Sequence, residues 1–102
     1  MLWYYTDMAK SLKTAKQMER HLKGVANHRR IDILGLIAQN DSLTVEDIAD
    51  RLNCNFKTIS EHTRRLVHAG LINKEYKGRT VIHALSPYGK IFYGFLTTFQ
   101  HS

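Results

Sequence analysis

Cysteine is all but missing from this 102-residue chain. Cys54 stands alone, which excludes an intramolecular disulfide and fits a reducing compartment. Proline occurs once and glycine six times, with no run of either, so nothing reads as a linker between domains. No apolar run approaches the roughly 20 residues that span a bilayer. The opening MLWYYTDMAK has no positive region followed by an apolar stretch. No secretory signal is expected, and the expected location is cytoplasmic. A glycine-rich phosphate loop, a Ser-His-Asp pattern and a pair of carboxylates framed by a pocket signal are all wanting, so an enzyme is not expected. Internal repeats and low-complexity tracts are absent too. What remains is one domain, large enough for one modest core.

Acidic residues are the next scarcity, nine against fifteen Lys and Arg. Their placement is uneven. Residues 1–30 carry seven cations and two acids, residues 31–54 one and five, and residues 55–80 six and two. A basic block, an acidic block and a second basic block imply polarised surfaces, which suit a polyanion such as nucleic acid.

Periodicity divides the chain into helices and one hairpin. Thr6 caps a first helix expected to run to about Lys23, with Met8, Leu12, Ala15, Met18, Leu22 and Val25 near heptad spacing and Gly24 ending or bending it. Asn27 caps a second helix to about Gln39, with Ile31, Leu34, Ile37 and Ala38 inward and Arg29 and Arg30 outward. Thr44 and Asp47 form a capping box opening a third, TVEDIADRL. After the turn Asn53-Cys54-Asn55, NFKTISEHTRRLVHAGLI is a fourth helix that Gly70 stops. Ile59, Thr63 and Leu66 share one face of it, with Phe56 and Val67 at the edge. Lys57, Glu61, Arg64 and His68 share the other, flanked by Ser60 and Arg65. INKEY and TVIHA alternate as strands around Lys77-Gly78-Arg79, a hairpin with a basic tip. Ser86-Pro87 then opens a fifth helix with Tyr88, Ile91, Phe92, Phe95, Leu96 and Phe99 on one stripe.

Two short helices joined by a tight turn and followed by a basic-tipped hairpin make a winged helix-turn-helix. The fold class is mainly α with a β-hairpin wing, in the order α1-α2-α3-α4-β1-β2-α5. From Asn27 to Leu85 the chain resembles the ArsR-type transcriptional regulators. The resemblance rests on SLTVEDIADRL, on TISEHTRRLVHAGLI, and on the strand-turn-strand that follows. It implies a sequence-specific regulator of double-stranded DNA, a dimeric repressor reading an inverted repeat with helix 55–69 in the major groove. Groove-facing positions are then Phe56, Lys57, Ser60 and Glu61, with Thr58, Arg64 and Arg65 as further DNA contacts and Lys77 and Arg79 on the flanking backbone or minor groove. Family members often carry Gln where this chain has Phe56, and His or a basic residue where it has Glu61. Phe56 can meet a thymine methyl and Glu61 can accept from a cytosine amine. The alternative is a winged-helix assembly module whose basic face binds an acidic partner.

The resemblance also implies a two-fold dimer through the first and last helices. Residues 1–24 and 86–102 are then dimerisation helices around a 27–85 winged-helix core. The expected interface is Met8, Leu12, Ala15, Met18, Tyr88, Phe92, Phe95 and Phe99. The terminal stripe, with Trp3, Tyr4 and Tyr5, exceeds what one small core buries, and Gly89 and Gly94 would let another backbone approach closely. Lys10, Lys13, Lys16, Arg20 and Lys23 serve solubility or contact phosphates near the dyad. His62 is expected to be half-buried, and His68 and His83 to be surface groups. Many ArsR-type proteins carry a cysteine pair where this chain has Thr44-Val45-Glu46-Asp47. His101 has no partner at helical spacing, and His28 with Asp32 reads as a surface pair, so no metal or cofactor is expected. No membrane partner is expected, and no effector is identified.

Overall fold

The structure, a computed structural model, describes residues 12–102. Expectations placed on Trp3, Tyr4, Tyr5, Thr6, Met8 and Lys10 lie outside the described residues. Among the described residues, five helices and a two-stranded antiparallel hairpin follow one another in the expected order. They are α1 (Ala15–Val25), α2 (His28–Gln39), α3 (Val45–Leu52), α4 (Phe56–His68), β1 (Ile72–Lys77), β2 (Thr80–Leu85) and α5 (Pro87–Gln100).

The first helix begins later than its periodicity suggests. Leu12, Lys13 and Thr14 are not helical. Thr14 is the cap: its Oγ1 accepts from the Gln17 N–H at 3.1 Å, and its own N–H donates to Gln17 Oε1 at 2.8 Å. This reciprocal box satisfies two end groups at once, so a continuous helix through 12–14 is corrected to one starting at Ala15. α1 runs one residue past Gly24, to Val25. A Cβ on Gly24 would overlap that of Ala69, so the glycine lets α1 lie close against the end of α4.

The core is built by α2, α3, α4 and the start of the hairpin. Ile33, Leu34, Ile48, Ile59, Leu66, Leu71 and Ile72 are essentially inaccessible, each contributing on the order of 1.5–3 kcal/mol by burial. On α2 the inward residues are Ile33, Leu34 and Ile37, whereas Ile31 is 40% exposed. It lines a groove of about 420 Å³ shared with Tyr93 and Leu96 of α5.

Thr44 and Asp47 form the expected capping box on α3. Its N-cap hydrogen bonds, with Arg51 nearby, hold the Asp47 carboxyl below its ordinary pKa. Asn53 closes α3 in the left-handed region at φ +50°, a conformation asparagine tolerates well. Asn55 opens α4, two residues later.

The hairpin pairs Ile72 with Leu85 through Lys77 with Thr80, leaving Gly78 and Arg79 as its two-residue turn. His83 is a correction to the sequence reading. It is buried at 1% exposure, where its backbone N–H and its Nδ1–H both donate to the Leu43 carbonyl, at 3.1 and 2.9 Å. That pair ties the α2–α3 turn to the wing.

Ser86 caps α5 as expected, accepting from the Gly89 N–H at 3.0 Å and donating to the Gly70 carbonyl at 2.6 Å. A Cβ on Gly89 would overlap the Leu71 carbonyl. The close backbone approach at Gly89 is therefore within the chain, while Gly94 faces open space.

Candidate nucleic-acid interface

The Asn55 side chain accepts the N–H groups of Lys57 and Thr58 at 2.8 and 3.2 Å. This gives α4 an abrupt start, with Phe56, Lys57 and Thr58 all exposed in its first turn. One face is then locked inward by Ile59, Thr63 and Leu66, at 0–1% exposure. On the opposite side Glu61, Arg64 and Arg65 stand exposed, and Ser60 is half-buried. The helix has the two faces its spacing predicts.

Those exposed charges are organised among themselves. Arg64 Nη2 donates to Glu61 Oε1 at 2.7 Å and its Nε to Oε2 at 3.1 Å, a two-pronged contact. Arg65 Nε donates to Oε1 at 3.2 Å. The Arg64 hydrogen bonds, helped by the charges of both arginines, hold the Glu61 carboxyl below its ordinary pKa. Exposed pairs of this kind are weakly held, so either arginine can leave the carboxylate for a stronger anion.

The wing meets this helix in two places. Arg79 and Thr80 share a hollow of about 400 Å³ with Phe56 and the start of α3. A second hollow of about 240 Å³ has Ser60 and Arg64 on one wall and Lys74 and Val81 on the other. Lys74 was not singled out by sequence reasoning. Its signal was the period-two alternation from buried Ile72, which puts Lys74 on the same face of β1. Lys77 and Arg79 are exposed at the tip.

His62 is half-buried, as expected, and its Nδ1 is enclosed without a hydrogen-bond partner. Burial first, then the charges of Arg30 and Arg65, hold its pKa below the ordinary value of 6.5. His68 is exposed. Among the described residues no three His, Cys, Asp or Glu side chains gather as a metal site would need.

A different surface lies on α1 and α5. The stripe on α5 divides: Phe92 and Leu96 pack against the core, joined by Tyr93 from outside the stripe, while Tyr88, Ile91, Phe95 and Phe99 are 43–66% exposed. Phe95 and Phe99 stack on each other at 5.7 Å. Leu12, Met18 and Leu22 add exposed apolar surface from the α1 side, and Ala15 is exposed there too. Phe92 is thus partly core. Beneath this surface lies His21, which sequence reasoning missed. It is 3% exposed, its Nδ1–H donates to the Ala69 carbonyl, and its ring lies 5.0 Å from that of Tyr88. No described helix is long and apolar enough to cross a membrane.

Residues 27–74 match the family model for "bacterial regulatory protein, arsR family". Over 65 residues the chain is 35% identical to the transcriptional activator HlyU of Vibrio cholerae, a match spanning 64% of this chain and 59% of that relative. The solved structure of V. cholerae HlyU superposes with a TM-score of 0.78 at 28% identity, over 88% of this chain and 98% of that one. A homodimeric winged helix-turn-helix DNA-binding domain from Mycobacterium bovis, Mb0332, is described as a possible ArsR-family transcriptional regulator. It superposes with a TM-score of 0.77 at 26% identity, over 93% of this chain and 86% of that one.

Proposed function

We propose that the chain, which matches the arsR family model of bacterial regulatory proteins over residues 27–74, is a dimeric, sequence-specific regulator of transcription. The observation that carries the reading is α4. Its inner face is locked in the core, while its first turn, Glu61 and Arg64 stand exposed beside a basic hairpin. A major groove about 12 Å wide admits such a helix, whose outward side chains then meet base edges while cations meet phosphates.

Phe56, Lys57, Ser60 and Glu61 read bases in this arrangement, and Thr58, Arg64 and Arg65 add base or phosphate contacts. Lys77 and Arg79 hold the flanking backbone or minor groove, with Lys74 in the cleft between wing and helix. The exposed apolar surface of α1 and α5 closes on its own copy, as expected of a chain similar to a homodimeric domain. Two recognition helices related by a two-fold axis then require an inverted repeat with half-sites about one turn apart. Occupying a promoter in this way represses it. A reporter that rises when the gene is deleted supports repression, and one that falls assigns activation, the role named for the V. cholerae relative.

Fluorescence anisotropy with DNA from upstream of the gene, beside a shuffled control, tests the reading. A preference of roughly a thousandfold or more is expected. No binding to either fragment would overturn it.

A further inference from the structure

A third basic feature lies at the far end of α4, away from the wing. Arg20 and Lys23 of α1, Arg30 of α2, and Arg64, Arg65 and His68 of α4 surround a notch of about 210 Å³. Carboxylates answer only part of this charge. Glu19 pairs with Lys23 at 3.3 Å, and Glu61 with the two α4 arginines. Among the described residues Arg20 and Arg30 form no ion pair.

The helix dipole explains some of these cations. Lys23, Arg65 and His68 sit in the last turns of their helices, where a positive charge is stabilised. Arg30 is the opposite case. It lies in the first turn of α2, at the positive end of the dipole, where a cation is disfavoured. It faces Arg64 and Arg65 across the notch, and its Nε is enclosed with no hydrogen-bond partner. Neighbouring His62 registers the same field: burial first, then Arg30 and Arg65, lower its pKa. Four guanidinium groups line the notch, and among the described residues Arg20 and Arg30 have no carboxylate partner.

We infer that this notch seats a phosphate group, held by Arg30 with help from Arg20 and Arg65. Arg64 lines both the notch and the cleft beside the wing, so the seat is continuous with the groove-facing surface. That continuity makes a backbone phosphate flanking the half-site the source the seat would take. The inference rests on the DNA-binding reading for that source, whereas a free phosphorylated molecule would satisfy the same guanidinium forks.

Anisotropy titrations of the full chain across about 50 to 200 mM salt separate the cases. With DNA as source, Arg30→Gln lowers the log–log salt slope by about one per protomer on upstream and shuffled fragments alike, leaving their ratio unchanged. Arg20→Gln, at an exposed position, moves the slope in the same direction. Arg30→Lys retains most of the slope, and Lys16→Gln, which removes one charge from α1 outside the notch, has the smallest effect. A parallel arm melts the DNA-free protein with millimolar inorganic pyrophosphate. Stabilisation of the wild type that Arg30→Gln abolishes identifies a free anion as occupant, and it supports the seat even if the wild type binds neither DNA. Unchanged slopes in both glutamine variants, with no effect of pyrophosphate on melting, overturn the seat. So does a change in the ratio between fragments, since Arg30 would then be reading bases.

Discussion

α4 and α5 are nearly equal in length, thirteen and fourteen residues, and each buries one face against the same core. Their outer faces are opposites. α4 presents Lys57, Glu61, Arg64 and Arg65, while α5 presents Tyr88, Ile91, Phe95 and Phe99. Core packing is satisfied in both, so it cannot account for the difference. Long cations are at ease in water. A row of exposed aromatics is not, and it gains by being covered. On the function proposed above, the two helices meet different partners, a polyanion for α4 and an apolar surface for α5.

Several substitutions break or sharpen that contrast. The largest effect is expected from Phe95→Glu with Phe99→Glu, which puts charge on the apolar face without touching α4. Light scattering should then report monomers, and affinity for an inverted repeat should fall by roughly 10²–10⁴ through lost avidity. Dimers persisting in that variant would remove α5 from the interface. Lys57→Ala with Arg64→Ala is the converse. Preference for the specific fragment should drop roughly ten- to hundredfold, while the dimer and its melting temperature stay as they are. An unaltered preference would remove α4 from the groove.

Gly89→Ala tests whether that glycine serves the fold or the dimer. Overlap with the Leu71 carbonyl should cost about 1–3 kcal/mol, lowering the melting temperature by roughly 4–8 °C per kcal/mol. An unchanged melting temperature with weaker dimers would return Gly89 to the interface. Smaller still is Arg79→Ala, expected to weaken binding to all sequences and reduce the salt slope by about one. If base preference changed instead, the wing would be reading sequence.

The smallest effect concerns His62. Its folded pKa lies below 6.5, so the unfolded chain takes up the proton first. The stabilising contribution is present above 6.5 and is lost as pH falls towards the lowered value. His62→Gln should flatten the dependence of stability on pH across that window. An identical pH profile, measured by thermal melting, would place the titration elsewhere.

The same contrast explains what was legible in the sequence. Local chemistry was readable at most helix ends: the Thr44–Asp47 box, Asn27 as a cap and Ser86-Pro87, and so were the two faces of α4. Features made by distant partners were not. His21 is buried by a carbonyl 48 residues away and His83 by one 40 residues away. Nothing in their neighbours along the chain signals either. Gly24 read as a helix end or bend and Gly89 as a place for another backbone at the dimer, because Ala69 and Leu71 become their neighbours only in the folded chain. Thr14 misled in another way. An apolar stripe continued through it, yet its capping box with Gln17 begins the helix there. Arg30 read as a solvated charge until α4 brought Arg64 and Arg65 beside it.

Selection of bound sequences from a random pool of double-stranded DNA tests the central claim most directly. Two half-sites in inverted repeat, centred about 10–10.5 base pairs or a multiple apart, are what two α4 helices on a dimer require. Enrichment of a single asymmetric site, or of no sequence at all, would contradict it.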